Sequence, residues 1–186
     1  IINISDTITL GDLISTIPLG SILFPNGGTA SIPAIPNAIN SDTFNINASE
    51  YFETMSLIDG VLIFEIKNQL PTDISNVDCS LINSINQNVI ATFNFPLITS
   101  GSSQIDTVSL AGLTIDKNIE AIINNIDVNA SNGNITINYS DALISKIKLK
   151  NLQINEATAY FPEQEVSQTL TETIFDLGDA QITEIG

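Results

Sequence analysis

The sequence predicts a mainly β protein, folded as an antiparallel β-sandwich or a strongly curved sheet with one short amphipathic helix. Three observations lead to this fold class. The chain of 186 residues contains 33 isoleucines, and β-branched side chains favour strands. Many short segments alternate apolar and polar residues, which is the pattern of a strand with one buried face. Turn-forming residues separate these segments about every ten residues, a spacing typical of antiparallel sandwiches.

Residues 1–43 are predicted to be a Pro- and Gly-containing N-terminal segment or the end of a preceding unit. Within them, residues 5–18 predict either a short strand or a helical turn that ends at Pro18. Residues 19–42 hold three prolines and an Asn-Gly-Gly turn, a composition that predicts a long loop with short extended pieces.

Residues 44–177 are predicted to be the β-rich domain. Its strands are read from period-2 alternation of apolar side chains, and Cys79 falls on an apolar position, so we expect it to face the core. The predicted strands cover 60–67, 77–81, 91–95, 105–108, 135–139, 144–154 and 169–177. The predicted core residues are Val61, Ile63, Phe93, Phe95, Ile135, Ile137, Ile147 and Leu149.

The strand at 144–154 places three of the five lysines on one side. Lys146, Lys148 and Lys150 alternate with apolar residues, and the parity of the pattern shifts after Asn151, which predicts a bulge there. This stripe of lysines has two interpretations. It is either a solvated face or protected sheet edge, or a surface that contacts an acidic partner or a glycan.

The predicted helix covers about 115–126. Isoleucines at 115, 119, 122, 123 and 126 follow the spacing of one helical face. We expect this face to pack on the sheet; the alternative is that it lines a ligand site.

The C-terminal residues 178–186 are predicted to begin a following repeat. Phe44-Asn45-Ile46 and Phe175-Asp176-Leu177 are similar, and the match extends toward the end of the chain. The first residues carry no signal-peptide pattern. We therefore expect one unit of a larger tandem protein, either processed or cut from a longer chain.

Composition argues against most catalytic chemistry. The chain has no His, no Arg and one Cys, so it lacks the usual triad base, the arginine phosphate clamp and a cysteine-based metal site. Its net charge of −16 would repel nucleic acid. No apolar run is long enough to span a bilayer as a helix.

The remaining oxygen-based sites are poor matches. Residues 127–133 resemble a calcium loop in their polar alternation, but the required Gly and Glu positions hold Asn132 and Asn138. Two carboxylate pairs, Glu50 with Glu53 and Glu163 with Glu165, are more typical of a solvated surface than of a glycosidase. The sequence therefore predicts no enzyme, no catalytic, cofactor-binding or metal-binding residue, and no cofactor.

One stretch resembles a known family. Residues 60–74, in which an apolar strand runs into Asn68 and Pro71, resemble the opening strand of late-embryogenesis-type β-sandwiches. The acidic, Arg-free composition is similar to that of secreted surface proteins of Bacteroidota-type bacteria. The patterns at 6–8 and 106–108 resemble the Asp-Thr-apolar O-glycosylation motif of that group. The resemblance implies an extracellular or cell-envelope location and no catalytic residue.

These observations predict a non-enzymatic extracellular or cell-envelope β-domain used for structure or adhesion within a larger tandem protein. The expected partners are neighbouring domains or other surface proteins, with glycan or lipid contact as a further option and no nucleic acid. The alternative is a binding module for an apolar ligand, such as a lipid, held between the sheet and the 115–126 helix. A large apolar cavity would favour that alternative.

Overall fold

The computed structural model describes residues 2–39, 42–50 and 52–158. The predicted pieces at 169–177 and 178–186 lie outside the described residues. The helices are α1 (Leu10–Thr16) and α2 (Gly20–Leu23). The strands are β1 (Ile2–Thr9), β2 (Thr29–Ala30), β3 (Ile35–Ile39), β4 (Asp42–Asn47), β5 (Thr54–Asn68), β6 (Ile74–Asn83), β7 (Val89–Ile98), β8 (Ser103–Ser109), β9 (Thr114–Asp116), β10 (Asn118–Val128), β11 (Ile135–Thr136) and β12 (Ala142–Thr158).

Two five-stranded antiparallel sheets form the body of the fold. The first sheet has the order β1-β12-β5-β8, with β9 also paired to β5. The second has the order β3-β10-β6-β7, with β4 also paired to β10. The short strands β2 and β11 pair separately. The predicted fold class, an antiparallel β-sandwich, is confirmed.

The core lies between the two sheets and is built from alternate residues of each strand. Phe64 of β5 stacks on Phe93 of β7 with ring centroids 4.6 Å apart, and on Phe95 at 6.1 Å. These contacts join the first sheet to the second, because β5 and β7 belong to different sheets. Phe93, Phe95, Ile137, Ile147 and Leu149 are buried as predicted.

The prediction for Val61 and Ile63 is wrong. Around these positions the buried residues of β5 are Leu62, Phe64 and Ile66, whereas Val61 and Ile63 are half-buried on the outer face. The sequence around them is almost continuously apolar, so alternation could not show which parity faces the core. Ile135 is also only half-buried, and the predicted 135–139 strand is reduced to the two residues of β11.

The predicted helix at 115–126 is also wrong, because this segment forms β9 and most of β10. In β10 the residues Ile119, Ala121, Ile123, Ile126 and Val128 are buried. The step of three between Ile123 and Ile126 coincides with register shifts against β6. An irregular strand thus reproduces part of a helical spacing, and the β-branched isoleucines favour the extended form.

The N-terminal segment contributes to the same core. Thr9 caps α1: its hydroxyl accepts a hydrogen bond from the Asp12 N–H at 3.0 Å, and the Asp12 carboxylate accepts one from the Thr9 N–H at 2.9 Å. The helix ends immediately before Ile17 and Pro18. Strand and helical turn, given as alternatives for 5–18, are both present in succession.

Strand β12 has the predicted break. Asn151 adopts a positive φ of 53°, and the register with β5 shifts between Lys150 and Gln153. However, β12 lies between β1 and β5, so the interpretation of its lysines as protection of a sheet edge is wrong. Neither described helix is long or apolar enough to cross a membrane.

Candidate binding face

The outer face of the first sheet carries most of the positive charge of the protein. Alternation in β12 buries Leu143, Ser145, Ile147 and Leu149, which turns the intervening side chains outward. In β5 the same alternation turns Glu65 and Lys67 outward. We call this surface the basic face; its residues are Ser5, Thr7, Val61, Ile63, Glu65, Lys67, Ser103, Ile105, Thr107, Ile144, Lys146, Lys148 and Lys150.

Four of the five lysines of the chain lie on the basic face. Lys67 is in register with Ile144, and Lys146 is two residues further along β12, so Lys67 and Lys146 are diagonal neighbours across the strand pair. Glu65 is the single carboxylate among these named residues, and the exposed Asp59 and Glu156 lie further along β5 and β12. The face therefore has a formal charge of +3, whereas the chain as a whole has −16.

The alternation at 144–154 predicted three of these lysines on one surface, but it did not predict that Lys67 lies beside them. Its signal was present, because Lys67 follows Glu65 by two residues in an alternating stretch. The pairing of β5 with β12 was needed to place both strands side by side. The fifth lysine, Lys117, lies elsewhere and forms a salt bridge with Glu53 at 2.6 Å.

A shallow depression lies on the basic face between β1 and β12. It has a volume of about 260 Å³ and is lined by Ile4, Ser5, Lys146, Ile147 and Lys148. The depression combines two ammonium groups and an exposed hydroxyl at Ser5. These groups can bind an anion or an acidic side chain.

The outer face of the second sheet is different in charge. Its described side chains include Asn45, Asp78, Ser80, Asn94 and Glu120, and no described lysine lies among its strands. The two outer faces of the sandwich are therefore distinct surfaces, one basic and one amide-rich with carboxylates.

The candidate calcium loop begins at a carboxylate that is already engaged. Asp127 Oδ1 accepts a hydrogen bond from the Asn37 N–H at 2.8 Å, and Oδ2 accepts one from Asn76 Nδ2 at 2.7 Å. These hydrogen bonds, together with one from Asn125, lower the pKa of Asp127. Asp127 thus joins β10 to β3 and β6. Among the described residues no group of three or more acidic, Cys or His side chains is placed to hold a metal ion.

The two candidate carboxylate pairs and Cys79 also form no site among the described residues. Glu53 is occupied by Lys117, Glu50 is exposed, and Glu163 and Glu165 lie outside the described residues. Cys79 is buried as predicted, and burial, with a smaller contribution from Asp78, raises the pKa of its thiol to about 12. A thiol of that pKa is neutral at physiological pH and is a poor nucleophile.

Two small apolar cavities lie inside the part of the chain that the structure describes. A cavity of about 20 Å³ lies between the sheets beside Phe64 and Phe93, and another of about 40 Å³ lies beneath α1. Each has room for one or two water molecules and not for a lipid chain. Since residues 115–126 form strands, the predicted placement of an apolar ligand between the sheet and a 115–126 helix is wrong.

Comparison with known proteins gives no family assignment. No family model matches the sequence, and no curated protein matches it. The resemblance to late-embryogenesis-type and bacterial surface domains therefore stays a prediction.

Several solved structures are weakly similar to this chain. A carbohydrate-binding module from Cellvibrio mixtus lichenase 5A, solved with cellotriose, is 11% identical; the match covers 64% of this chain and 98% of that chain, with a TM-score of 0.26. Infectious bursal disease virus structures of the Gt and Gx strains are 6% and 12% identical. Those matches cover 86% and 84% of this chain, but 45% and 38% of theirs, with TM-scores of 0.25 and 0.23. Similarity at this level carries no functional argument.

Proposed function

We propose that this chain is a non-enzymatic β-sandwich domain of the extracellular space or the cell envelope. It acts by surface contact as a structural or adhesion unit of a larger tandem protein. Its basic face binds an acidic partner. The observation that carries the proposal is the placement of Lys67, Lys146, Lys148 and Lys150 on one outer face of a chain with net charge −16.

The remaining acidic residues do not prevent this contact. At physiological ionic strength the Debye length is about 8 Å, and packed sheets are about 10 Å apart, so carboxylates on the far side of the sandwich are largely screened. An acidic partner close to the basic face therefore experiences the lysines of that face more strongly than the carboxylates of the far face.

A contact surface of this kind also fits the chemistry of the chain. The core is filled, the described carboxylates are dispersed, and the single thiol is buried. The chain has no His, and the four lysines of the basic face are at least partly solvated. These features favour binding over turnover.

The experiment uses the whole chain and poly-L-glutamate as the probe. We expect salt-dependent binding to immobilised poly-L-glutamate at 50 mM NaCl that weakens as NaCl is raised to 500 mM. The variant K146Q/K148Q should bind roughly tenfold more weakly, the effect of losing one or two exposed ion pairs. The matched control is K117Q, which removes the same kind of charge away from the face and should bind like the wild type.

Equal binding by K146Q/K148Q and the wild type would contradict the proposal for the basic face. The tandem arrangement is tested separately by the intact mass of the native protein. A mass equal to that of this chain alone would overturn it. Protease treatment of intact source cells tests the location, since a surface domain should be cleaved without lysis.

A further inference from the structure

We infer that the basic face recognises an extended protein segment that carries carboxylates on alternate residues. This inference rests on the proposed function and names the partner chemistry of the same surface. It follows from the spacing of the lysines, the shape of the depression and the position of Glu65.

The lysines repeat with the period of a strand. Lys146, Lys148 and Lys150 are consecutive outward residues of β12, and β12 is regularly paired with β5 from Leu143 to Lys150. Successive outward side chains of a strand are about 7 Å apart. An extended peptide presents every second side chain at the same interval, so its alternate carboxylates can each meet one ammonium group.

The depression lies beside two of these lysines, Lys146 and Lys148. Its lining residues Ile4 and Ser5 belong to β1, and Lys146, Ile147 and Lys148 belong to β12, so it lies between two adjacent strands. A chain lying along this depression would run beside the stripe of lysines. The Ser5 hydroxyl is in register with Lys146 and offers a hydrogen-bond donor at the same level.

Glu65 provides an internal example of the expected contact. It is carried by an extended strand next to β12, and its Oε2 lies 3.7 Å from Lys148 Nζ. A carboxylate on a neighbouring extended backbone therefore reaches this ammonium group. Lys67, Lys146 and Lys150 have no carboxylate within salt-bridge distance among the described residues.

The test compares ligands of equal charge and different spacing. One peptide repeats Thr-Glu four times, and the second has the same composition with the four glutamates in one block. Binding of each to the whole chain is measured by fluorescence anisotropy in 50 mM NaCl. An oligogalacturonate with four carboxylates is the third ligand, and it represents an acidic glycan.

We expect the alternating peptide to bind several-fold more tightly than the block peptide and the glycan, by about the effect of one exposed ion pair. This preference should disappear in K146Q/K148Q and persist in K117Q. E65Q, which removes the competing carboxylate and alters no buried group, should bind the alternating peptide more tightly than the wild type.

Equal binding of the two peptides, or tighter binding of the oligogalacturonate, would overturn the inference. In either of these cases, if K146Q/K148Q bound the ligands more weakly than the wild type, the proposed contact between the basic face and an acidic partner would stand, and only the inference about alternate carboxylates would be overturned. Binding of all three ligands that is the same in the wild type and K146Q/K148Q would overturn the inference and the proposed basic-face contact together.

Discussion

Glu65 lies opposite Lys146 in the register of β5 and β12, yet its carboxylate contacts Lys148, the diagonal neighbour, at 3.7 Å. The Lys148 side chain is 37% exposed and that of Glu65 is 21% exposed, so solvent screens the pair. Glu65 is thus one carboxylate near the several lysines of the basic face, and solvent screening weakens its electrostatic contribution to folding.

Replacing Glu65 should therefore have little effect on stability. We expect E65Q to change the free energy of unfolding by less than about 1 kcal/mol, because exposed ion pairs contribute about that much or less. Urea denaturation of the wild type and E65Q measures the difference. A loss of more than about 2 kcal/mol would mean that Glu65 holds the two strands together, and that its carboxylate is not free to be displaced by a partner.

Substitutions at the contact between the two sheets should lower the free energy of unfolding far more than E65Q does. Phe93 is 3% exposed and stacks on Phe64 of the opposite sheet. We expect Phe93→Ala to lower the free energy of unfolding by about 3–5 kcal/mol, because it leaves a cavity in a packed core. Thr92→Ala, an exposed outward neighbour, should change it by less than about 0.5 kcal/mol. Similar losses for the two variants in urea denaturation would contradict the assigned register of β7.

A buried amide at the end of β5 joins the loop between β5 and β6 to the end of β7. Asn68 is fully buried; its Nδ2 donates to the carbonyl oxygens of Thr72 at 2.9 Å and Ile98 at 3.0 Å, and its Oδ1 accepts from the Leu70 N–H at 3.0 Å. The amide therefore satisfies backbone groups on both sides of the sandwich.

We expect Asn68→Ala to destabilise the fold by about 2–4 kcal/mol, because buried backbone groups lose their partners. The control Asn94→Ala removes an exposed amide from β7 and should have little effect. Thermal or urea unfolding distinguishes the two. If Asn68→Ala lowered the free energy of unfolding as little as the control Asn94→Ala, water would be shown to replace the amide.

The fold class could be predicted because period-2 alternation is a local property. It identified β12, its break at Asn151 and the burial of Cys79 and Phe93. It could not orient β5, since Val61, Leu62 and Ile63 are all apolar and parity is set by the sheet on which the strand packs. The helix prediction at 115–126 was wrong because shifts in strand register can imitate a helical period.

The basic face could be predicted only in part, because it forms through the pairing of strands that are distant in sequence. Lys67 and Lys146 are 79 residues apart in sequence and become diagonal neighbours only when β5 pairs with β12. No local pattern states which strands are adjacent. The stripe at 146–150 was therefore predictable, whereas the charge of the whole face required the structure.

Cys79 should be unreactive in the folded protein. Burial raises the pKa of its thiol to about 12, so at pH 8 almost none of it is the reactive thiolate. We expect negligible labelling by Ellman's reagent in native buffer and complete labelling of the one cysteine in 6 M guanidinium. Rapid labelling of the native protein would contradict the burial of β6 in the core.

The last prediction concerns acid stability and Asp127. Three donors, the Asn37 N–H, Asn76 Nδ2 and Asn125 Nδ2, contact its carboxylate, and these hydrogen bonds lower its pKa below the ordinary value of 3.8. A carboxyl whose pKa is lower in the folded state than in the unfolded state stabilises the fold when it is ionised. That contribution is complete above the unfolded pKa and is lost as the pH falls through the folded pKa.

We therefore expect the free energy of unfolding to fall as the pH is lowered from about 5 to below 3.8, and Asp127→Asn to reduce that fall, because Asn does not titrate. The matched control is Asp42→Asn, an exposed carboxylate on β4, which also pairs with β10. Urea denaturation at a series of pH values gives the slope for each protein. If Asp127→Asn keeps the wild-type slope while Asp42→Asn reduces it, the carboxylate that links β10 to β3 and β6 is not the acid-sensitive one.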